Sequence, residues 1–76
     1  MGILIDGNTN KKYEGQFEDD IPFGLGTIYY PNGDIYYGMT DKLTKQGAGH
    51  LFCKASGKVF EGEFNKDLKE GVGYYF

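Results

Sequence analysis

A thiol next to an imidazole is a common catalytic nucleophile and base, so the first residues to examine are the histidine and the cysteine. His50 is the only histidine of the chain and Cys53 the only cysteine. They are three residues apart in a segment that reads as a strand, so their side chains are expected to point to opposite faces. The pair predicts no catalytic site, and zinc would need more ligands than these two residues.

Two other sequence patterns could indicate a metal or cofactor site. Asp19 and Asp20 are adjacent, but no loop has the ligand spacing of a calcium motif, so we interpret them as solvated loop carboxylates. Gly-x-Gly occurs at 24–26, 47–49 and 71–73 without the third glycine and the helix of a dinucleotide-binding fingerprint. We expect no catalytic residue, no metal site and no cofactor, and the sequence predicts that the protein is not an enzyme.

The length and the net charge of the chain limit the kinds of partner that it could bind. The 76 residues fit one small domain with a thin core. Eight lysines, no arginine and a net charge of -3 argue against nucleic acid as the main partner. A single cysteine and no visible secretory signal favour a reducing compartment, so we expect a cytoplasmic location, with association to cytoskeleton or membrane left open.

The glycines and aromatic residues form a repeat. Segments 13–17, 36–40 and 60–64 each read aromatic-x-Gly-x-(aromatic or Thr), and their central glycines are 23 and 24 residues apart. A Gly-x-Gly begins nine residues after each central glycine, and a turn glycine, Gly33 or Gly57, follows it. Asn10 occupies the corresponding turn position near the N-terminus, because Asn tolerates positive φ better than most residues. The repeat divides the chain into a partial unit at 2–12, units at 13–35 and 36–59, and a partial unit at 60–76. It suggests a fragment of a longer array.

Each unit predicts a β-hairpin. Tyr13, Gly15 and Phe17 alternate with Glu14 and Gln16, as in a half-buried antiparallel strand. We expect second strands at 27–30, 50–53 and 74–76, and polar connections at 19–23, 41–46 and 65–70. Glycine recurs too often for a helix. The predicted fold is all-β: an elongated, single-layer antiparallel sheet of stacked hairpins.

Glycine inside a strand costs about 0.5–1 kcal/mol relative to alanine, so its repetition needs a cause. The cause we predict is close approach, in which a flat ring lies on the bare backbone of a neighbouring strand. The rings would come from five aromatic residues: Tyr13, Phe17, Tyr36, Phe60 and Phe64. The same glycines would let the sheet curve into a trough.

The pattern resembles the MORN repeats (membrane occupation and recognition nexus), whose unit reads Tyr-x-Gly-x-(Trp/Phe), a polar loop, Gly-x-Gly and a turn glycine. Residues 13–17 with 24–26 and Gly33, and residues 60–64 with 71–73, match it. The middle unit departs at Thr40, where an aromatic residue is usual. The resemblance implies a scaffold or partner-binding module with an aromatic-lined groove, and for some members phospholipid binding or dimers formed through an array end.

From the residues, the aromatic face has two interpretations: a thin core, or an open groove for a partner peptide or helix. The candidate groove residues are Tyr13, Phe17, Tyr30, Tyr36, Leu51, Phe60, Phe64 and Tyr75. A second apolar set lies on the opposite face of the second strands and is a candidate packing surface or subunit interface: Leu25, Tyr29, Phe52, Val72, Tyr74 and Phe76. Tyr74 and Phe76 also lie at an unprotected strand edge, which predicts a homodimer or a continued array.

The function that the sequence favours is a non-enzymatic protein–protein interaction or scaffolding module. One alternative is a membrane-surface module that recognises anionic phospholipid, which the net charge of -3 and the absence of arginine disfavour. Another alternative is a regulatory domain of a larger enzyme whose catalytic part lies elsewhere.

Overall fold

The chain forms one antiparallel sheet whose strands follow each other in sequence order. The computed structural model describes the backbone of residues 2–75 and the side chains of residues 2–68. No helix occurs in residues 2–75, so none of their segments could cross a bilayer as a helix. The predicted single-layer all-β fold is confirmed. Its strands are β1 (Gly2–Asp6), β2 (Lys11–Glu18), β3 (Ile21–Tyr29), β4 (Ile35–Asp41), β5 (Thr44–Cys53), β6 (Lys58–Asn65) and β7 (Leu68–Tyr75).

The strands are longer than the sequence predicted, because the connections inside the hairpins are only two residues long. Asp19 and Asp20 have φ of 51° and 64°, and Lys42 and Leu43 have φ of 51° and 67°. Two consecutive positive φ values define the tight turn whose twist matches that of antiparallel strands. The predicted loops at 19–23, 41–46 and 65–70 were therefore too long, because the turn conformation is adopted by residues without a glycine signal.

A bulge in each hairpin takes up the extra residues. Gly15 pairs with Gly26 and Phe17 with Pro22, so the single residue Gln16 faces three residues of β3. The same shift occurs between β4 and β5 and between β6 and β7. Gly24, inside the bulge, has φ of 99°, and the Gln16 Oε1 atom accepts a hydrogen bond from the Leu25 amide at 2.8 Å. The first glycine of the Gly-x-Gly thus provides the positive φ that the bulge requires.

The second glycine of the Gly-x-Gly lies under a tyrosine ring. A Cβ atom on Gly26 would overlap the Tyr13 ring, and one on Gly49 would overlap the Tyr36 ring. The Tyr13 hydroxyl donates a hydrogen bond to the Gln16 carbonyl at 2.6 Å, which fixes the ring in place. The predicted packing of rings on glycine is confirmed for these two tyrosines, and also for Phe17, whose ring lies against Gly2.

One face of the sheet, called the ring face, carries the hydrophobic core. Its buried members are Tyr13, Ile28, Tyr36, Leu51, Phe60 and Phe64. Phe64 joins two units, because its ring makes edge-to-face contacts with Tyr36 at 5.3 Å and with Phe60 at 5.4 Å between centroids. No second layer covers this face within residues 2–75. We therefore infer that the sheet coils enough for its own strands and rings to shield one another from solvent.

The connections between units confirm the predicted turn positions. The Asn10 amide donates to the Asp6 carbonyl and the Gly57 amide to the Cys53 carbonyl, each at 2.8 Å. Asn10 has φ of 59° and Gly57 of 71°, so asparagine replaces glycine here as expected. The Asn8 amide and the Thr9 hydroxyl donate to the Asp6 carboxylate. These hydrogen bonds lower the pKa of Asp6 below its ordinary value.

Candidate partner-binding surface

Most of the predicted groove residues belong to the core. Tyr13, Tyr36, Leu51, Phe60 and Phe64 are buried. Phe17 and Tyr30 are partly buried and pack against them, and the side chain of Tyr75 lies outside the described residues. Binding of a partner on the ring face stays a prediction, and among the described groove residues only Phe17 and Tyr30 are partly exposed.

The chain's own side chains occupy the ring face around Tyr30. The Lys45 ammonium donates to the Tyr30 hydroxyl at 3.1 Å and lies 3.5 Å from the Asp67 carboxylate. It also lies 5.0 Å from the Tyr30 ring centroid and 5.7 Å from that of Phe64, within the range of cation–π attraction. Since the Lys45 side chain is only 11% exposed, this cation is held by the protein itself.

Burial also keeps the Tyr30 hydroxyl protonated. Removal from water raises the pKa of Tyr30 above its ordinary value, and the charge of Asp67 raises it further. A neutral phenol can accept the Lys45 hydrogen bond and still present its ring to the ammonium. This cluster therefore joins Tyr30, the residue that follows β3, to Lys45 of β5.

The opposite face of the sheet, called the open face, carries exposed apolar side chains. Ile35, Tyr37 and Met39 point to it, because they alternate along β4 with residues of the ring face. Leu25 is 45% exposed, Tyr37 52% and Met39 40%. We define the apolar strip as five of the exposed apolar residues of β3 and β4 on the open face: Phe23, Leu25, Ile35, Tyr37 and Met39.

Strand pairing makes the apolar strip continuous. Leu25 lies opposite Met39, and Tyr29 lies opposite Ile35. Ile35 in turn lies opposite Phe52 of β5, which extends the strip by one strand. Directly opposed side chains on one face are neighbours, with Cβ atoms about 4.5–5.5 Å apart. The strip is thus a connected surface.

A groove of about 390 Å³ adjoins the strip. Its floor is the backbone of Gly15 and Gly26, where the absence of side chains brings the two strands close together: a Cβ atom on Gly15 would lie 2.5 Å from the Gly26 Cα atom. Its remaining lining residues are Glu14, Gln16, Leu25, Thr27 and Tyr37. The groove can accept one side chain of a partner, with apolar and polar walls.

The open face is acidic around the strip. Glu14 and Glu18 on β2 and Asp41 on β4 form no ion pair among the described residues. The Lys12 ammonium lies 5.3 Å from the ring centroid of Tyr29, and the His50 imidazole lies 3.1 Å from the Glu61 carboxylate. The carboxylates near the strip are therefore available to a partner.

The histidine and the cysteine are placed as the sequence predicts, on opposite faces. His50 is exposed on the open face, whereas Cys53 is partly buried and packs against the core. Within the described residues, no cluster of three His, Cys, Asp or Glu residues could hold a metal ion.

Sequence reasoning found the apolar strip only in part. It placed Leu25 on the open face, but it took Phe23 as part of a loop and left Tyr37 and Met39 unassigned. Tyr29 and Phe52 from the predicted second set are half-buried. The side chains of Val72, Tyr74 and Phe76 lie outside the described residues. The alternation of Ile35, Tyr37 and Met39 with the ring-face residues was the signal that could have identified β4 as the centre of the surface.

The comparisons with known proteins give one result that identifies the family. No curated protein matches the chain. A family model described as the MORN repeat matches residues 13–35 and 60–76, which together form more than half of the chain. The unit at 36–59 lies outside the match, yet Gly38 pairs with Gly49 as Gly15 pairs with Gly26. The chain therefore belongs to the MORN repeat family.

Proposed function

We propose that this protein is a non-enzymatic interaction module that binds a protein partner, a peptide or a helix, through the apolar strip of its open face. MORN repeats generally mediate interactions with proteins or membranes, which supports a binding role. The observation that carries the choice of surface is the continuous exposure of Leu25, Tyr37 and Met39 on a face with no covering layer among the described residues. Contiguous exposed apolar patches of this kind commonly mark interaction sites.

The strip suits a partner better than the ring face does. Apolar side chains that are about half exposed can still lose water on binding, which contributes about 25 cal/mol per Å² of apolar area. Buried rings such as Tyr13 and Tyr36 have no exposed area left to lose. A peptide or helix on the strip would bury Leu25 and Met39 without disturbing the ring–glycine packing.

A capture experiment with matched variants tests the proposal. Leu25→Ser and Met39→Ser together should abolish retention of proteins that the unchanged chain captures from cell extract, since both side chains are exposed. Tyr30→Ala, on the ring face, should leave retention unchanged. Circular dichroism must show that each variant is folded. Loss of capture with Tyr30→Ala alone would place the partner on the ring face instead.

The membrane alternative has a separate test. Anionic vesicles attract clustered lysine and arginine, whereas the open face presents Glu14, Glu18 and Asp41. We expect no co-sedimentation with phosphatidylserine vesicles at low salt. Salt-sensitive binding to such vesicles would favour a lipid-binding role over the protein-binding role.

Self-association through a strand edge is a further proposal. We expect light scattering coupled to size-exclusion chromatography to give a mass above that of the 8.5 kDa chain, because unprotected edges pair with other strands. A stable monomer at high concentration would contradict it.

A further inference from the structure

The groove beside the apolar strip has a carboxylate on one wall and an aromatic ring on the other. Glu14 of β2 lies opposite Thr27 of β3, which lies opposite Tyr37 of β4. Neighbouring strands are about 4.8 Å apart, so Glu14 and Tyr37 flank the groove at a backbone distance of about 10 Å. One long side chain from a partner can lie between them, above Thr27 and beside the glycine floor.

The side chains on these two walls favour a positively charged group from the partner. No ion pair or hydrogen bond within the described residues engages the Glu14 carboxylate, and Tyr37 presents a ring that is 52% exposed. A carboxylate pairs with an ammonium or guanidinium group, and an exposed aromatic face attracts the same groups. Leu25 supplies an apolar wall, which suits the methylene stem of a lysine or arginine.

The charge around the groove favours a basic partner segment over an acidic one. Glu18 and Asp41 add negative charge near Phe23, at the end of the sheet that carries the two-residue turns; Phe23 lies opposite Asp41 there, and Lys42 is a neighbouring cation. Like charges across an interface are costly, so an acidic segment is disfavoured, whereas a basic segment gains attraction at each of these positions. Apolar side chains of the same segment would cover Leu25 and Met39.

We propose that the groove binds a lysine or arginine side chain of a basic amphipathic segment in a protein partner. The inference rests on the proposed function of the apolar strip and specifies the partner for that surface. The cation would lie between the Glu14 carboxylate and the Tyr37 ring, while the apolar residues of the segment pack on the strip.

Two designed helical peptides with the same leucine face test this inference. One carries lysine and arginine beside the leucines, and the other carries glutamate at the same positions. Fluorescence anisotropy should show the basic peptide binding about tenfold more tightly than the acidic one at low salt. The difference should shrink when salt rises from about 50 to 300 mM, because exposed charges are screened.

Single substitutions test whether the cation of the basic peptide lies between Glu14 and Tyr37. Glu14→Gln should weaken binding of the basic peptide about threefold, as expected for an exposed ion pair. Tyr37→Leu keeps apolar area but removes the ring, and should weaken binding by about two- to fivefold. Asp20→Asn removes the same charge at a turn that does not line the groove and serves as the matched control, with unchanged binding expected.

The outcomes separate this inference from the proposed function. If the acidic peptide binds as tightly as the basic one, the cation inference is wrong, while the strip remains a binding surface. If Glu14→Gln behaves like Asp20→Asn, the groove does not hold the cation, and the inference is also overturned. If neither peptide binds at millimolar concentration, the inference and the assignment of the strip as the binding surface both fail.

Discussion

The unit at 36–59 meets its two neighbours through the same backbone arrangement but with different side chains. Towards the preceding unit, the Thr40 hydroxyl donates to the Gly24 carbonyl at 2.9 Å and lies 3.4 Å from the Tyr13 hydroxyl. Towards the following unit, the Phe64 ring packs edge-on against Tyr36. A buried hydroxyl and a buried ring thus fill equivalent positions.

The difference shows which part of the repeat is essential. Tyr13 has no ring from the next unit, and Phe17 of its own strand supplies the edge-to-face contact instead, at 5.3 Å between centroids. Both tyrosines donate a hydrogen bond to the backbone three residues later, at Gln16 and Met39. The ring–glycine contact is therefore constant, while the residue that joins adjacent units can vary.

Removal of the Phe64 ring should give the largest effect, and its comparison with removal of the Phe17 ring should separate the two ring contacts. Phe64→Ala is expected to lower the free energy of unfolding by about 3–5 kcal/mol, because the ring is buried and contacts two other rings. Phe17→Ala should cost about half as much, since Phe17 is only partly buried. Urea denaturation measures both, and Phe64→Leu provides a milder variant if Phe64→Ala does not fold. Equal costs for Phe17→Ala and Phe64→Ala would contradict the comparison.

The two ring–glycine contacts should respond equally to an added methyl group. Gly26→Ala and Gly49→Ala each place a Cβ atom within 2.5 Å of tyrosine side-chain atoms, and we expect each to cost about 2–3 kcal/mol through overpacking. Gly7→Ala is the control, because nothing lies within 4 Å of the added atom. A large cost at only one of the two buried glycines would show that the units are not equivalent.

The hydroxyl of Thr40 should matter more than its methyl group. Thr40→Val leaves the Gly24 carbonyl without its side-chain donor, and we expect a cost of about 1–2 kcal/mol in thermal or urea unfolding. Thr40→Ser retains the donor and should be less destabilising. If the serine variant is the less stable one, Thr40 acts by packing, as Phe64 does.

The last expected effect is a pH dependence at the second junction. Burial, with a contribution from the charge of Asp67, raises the pKa of Tyr36 from 10.0 to about 12. Because the folded state holds the proton more tightly, this contribution to stability is complete below pH 10 and is lost as the pH rises through about 12. Tyr36→Phe should therefore lose less stability than the unchanged chain between pH 10 and pH 12. Parallel curves in urea denaturation would contradict the assignment.

The packing of rings on glycines was predictable from the sequence, because the spacing of glycine and aromatic residues reports directly on it. Leu4, Ile28 and Leu51 occupy equivalent positions in the repeat, and each lies opposite an aromatic residue in the sheet. The length of the hairpins was not predictable, since Lys42 and Leu43 carry no signal for positive φ. Tertiary pairing imposes that conformation on them.

The candidate site was harder to predict than the fold. Alternation shows which residues share a face, but it does not show which face is buried. Aromatic residues on the ring face, such as Tyr36, looked suitable for a groove, and their burial depends on the bulges and the coiling that bring rings onto glycines. Once that face is filled, the exposed apolar residues of β3 and β4 remain.

We propose that one face of the sheet folds the protein, whereas the other face binds its partner. Photo-crosslinking distinguishes the two faces, with benzoylphenylalanine in place of Tyr37 on the open face or of Tyr30 on the ring face. We expect the partner captured by the unchanged chain to be crosslinked from position 37 and not from position 30. Crosslinking from position 30 alone would show that the partner binds the ring face.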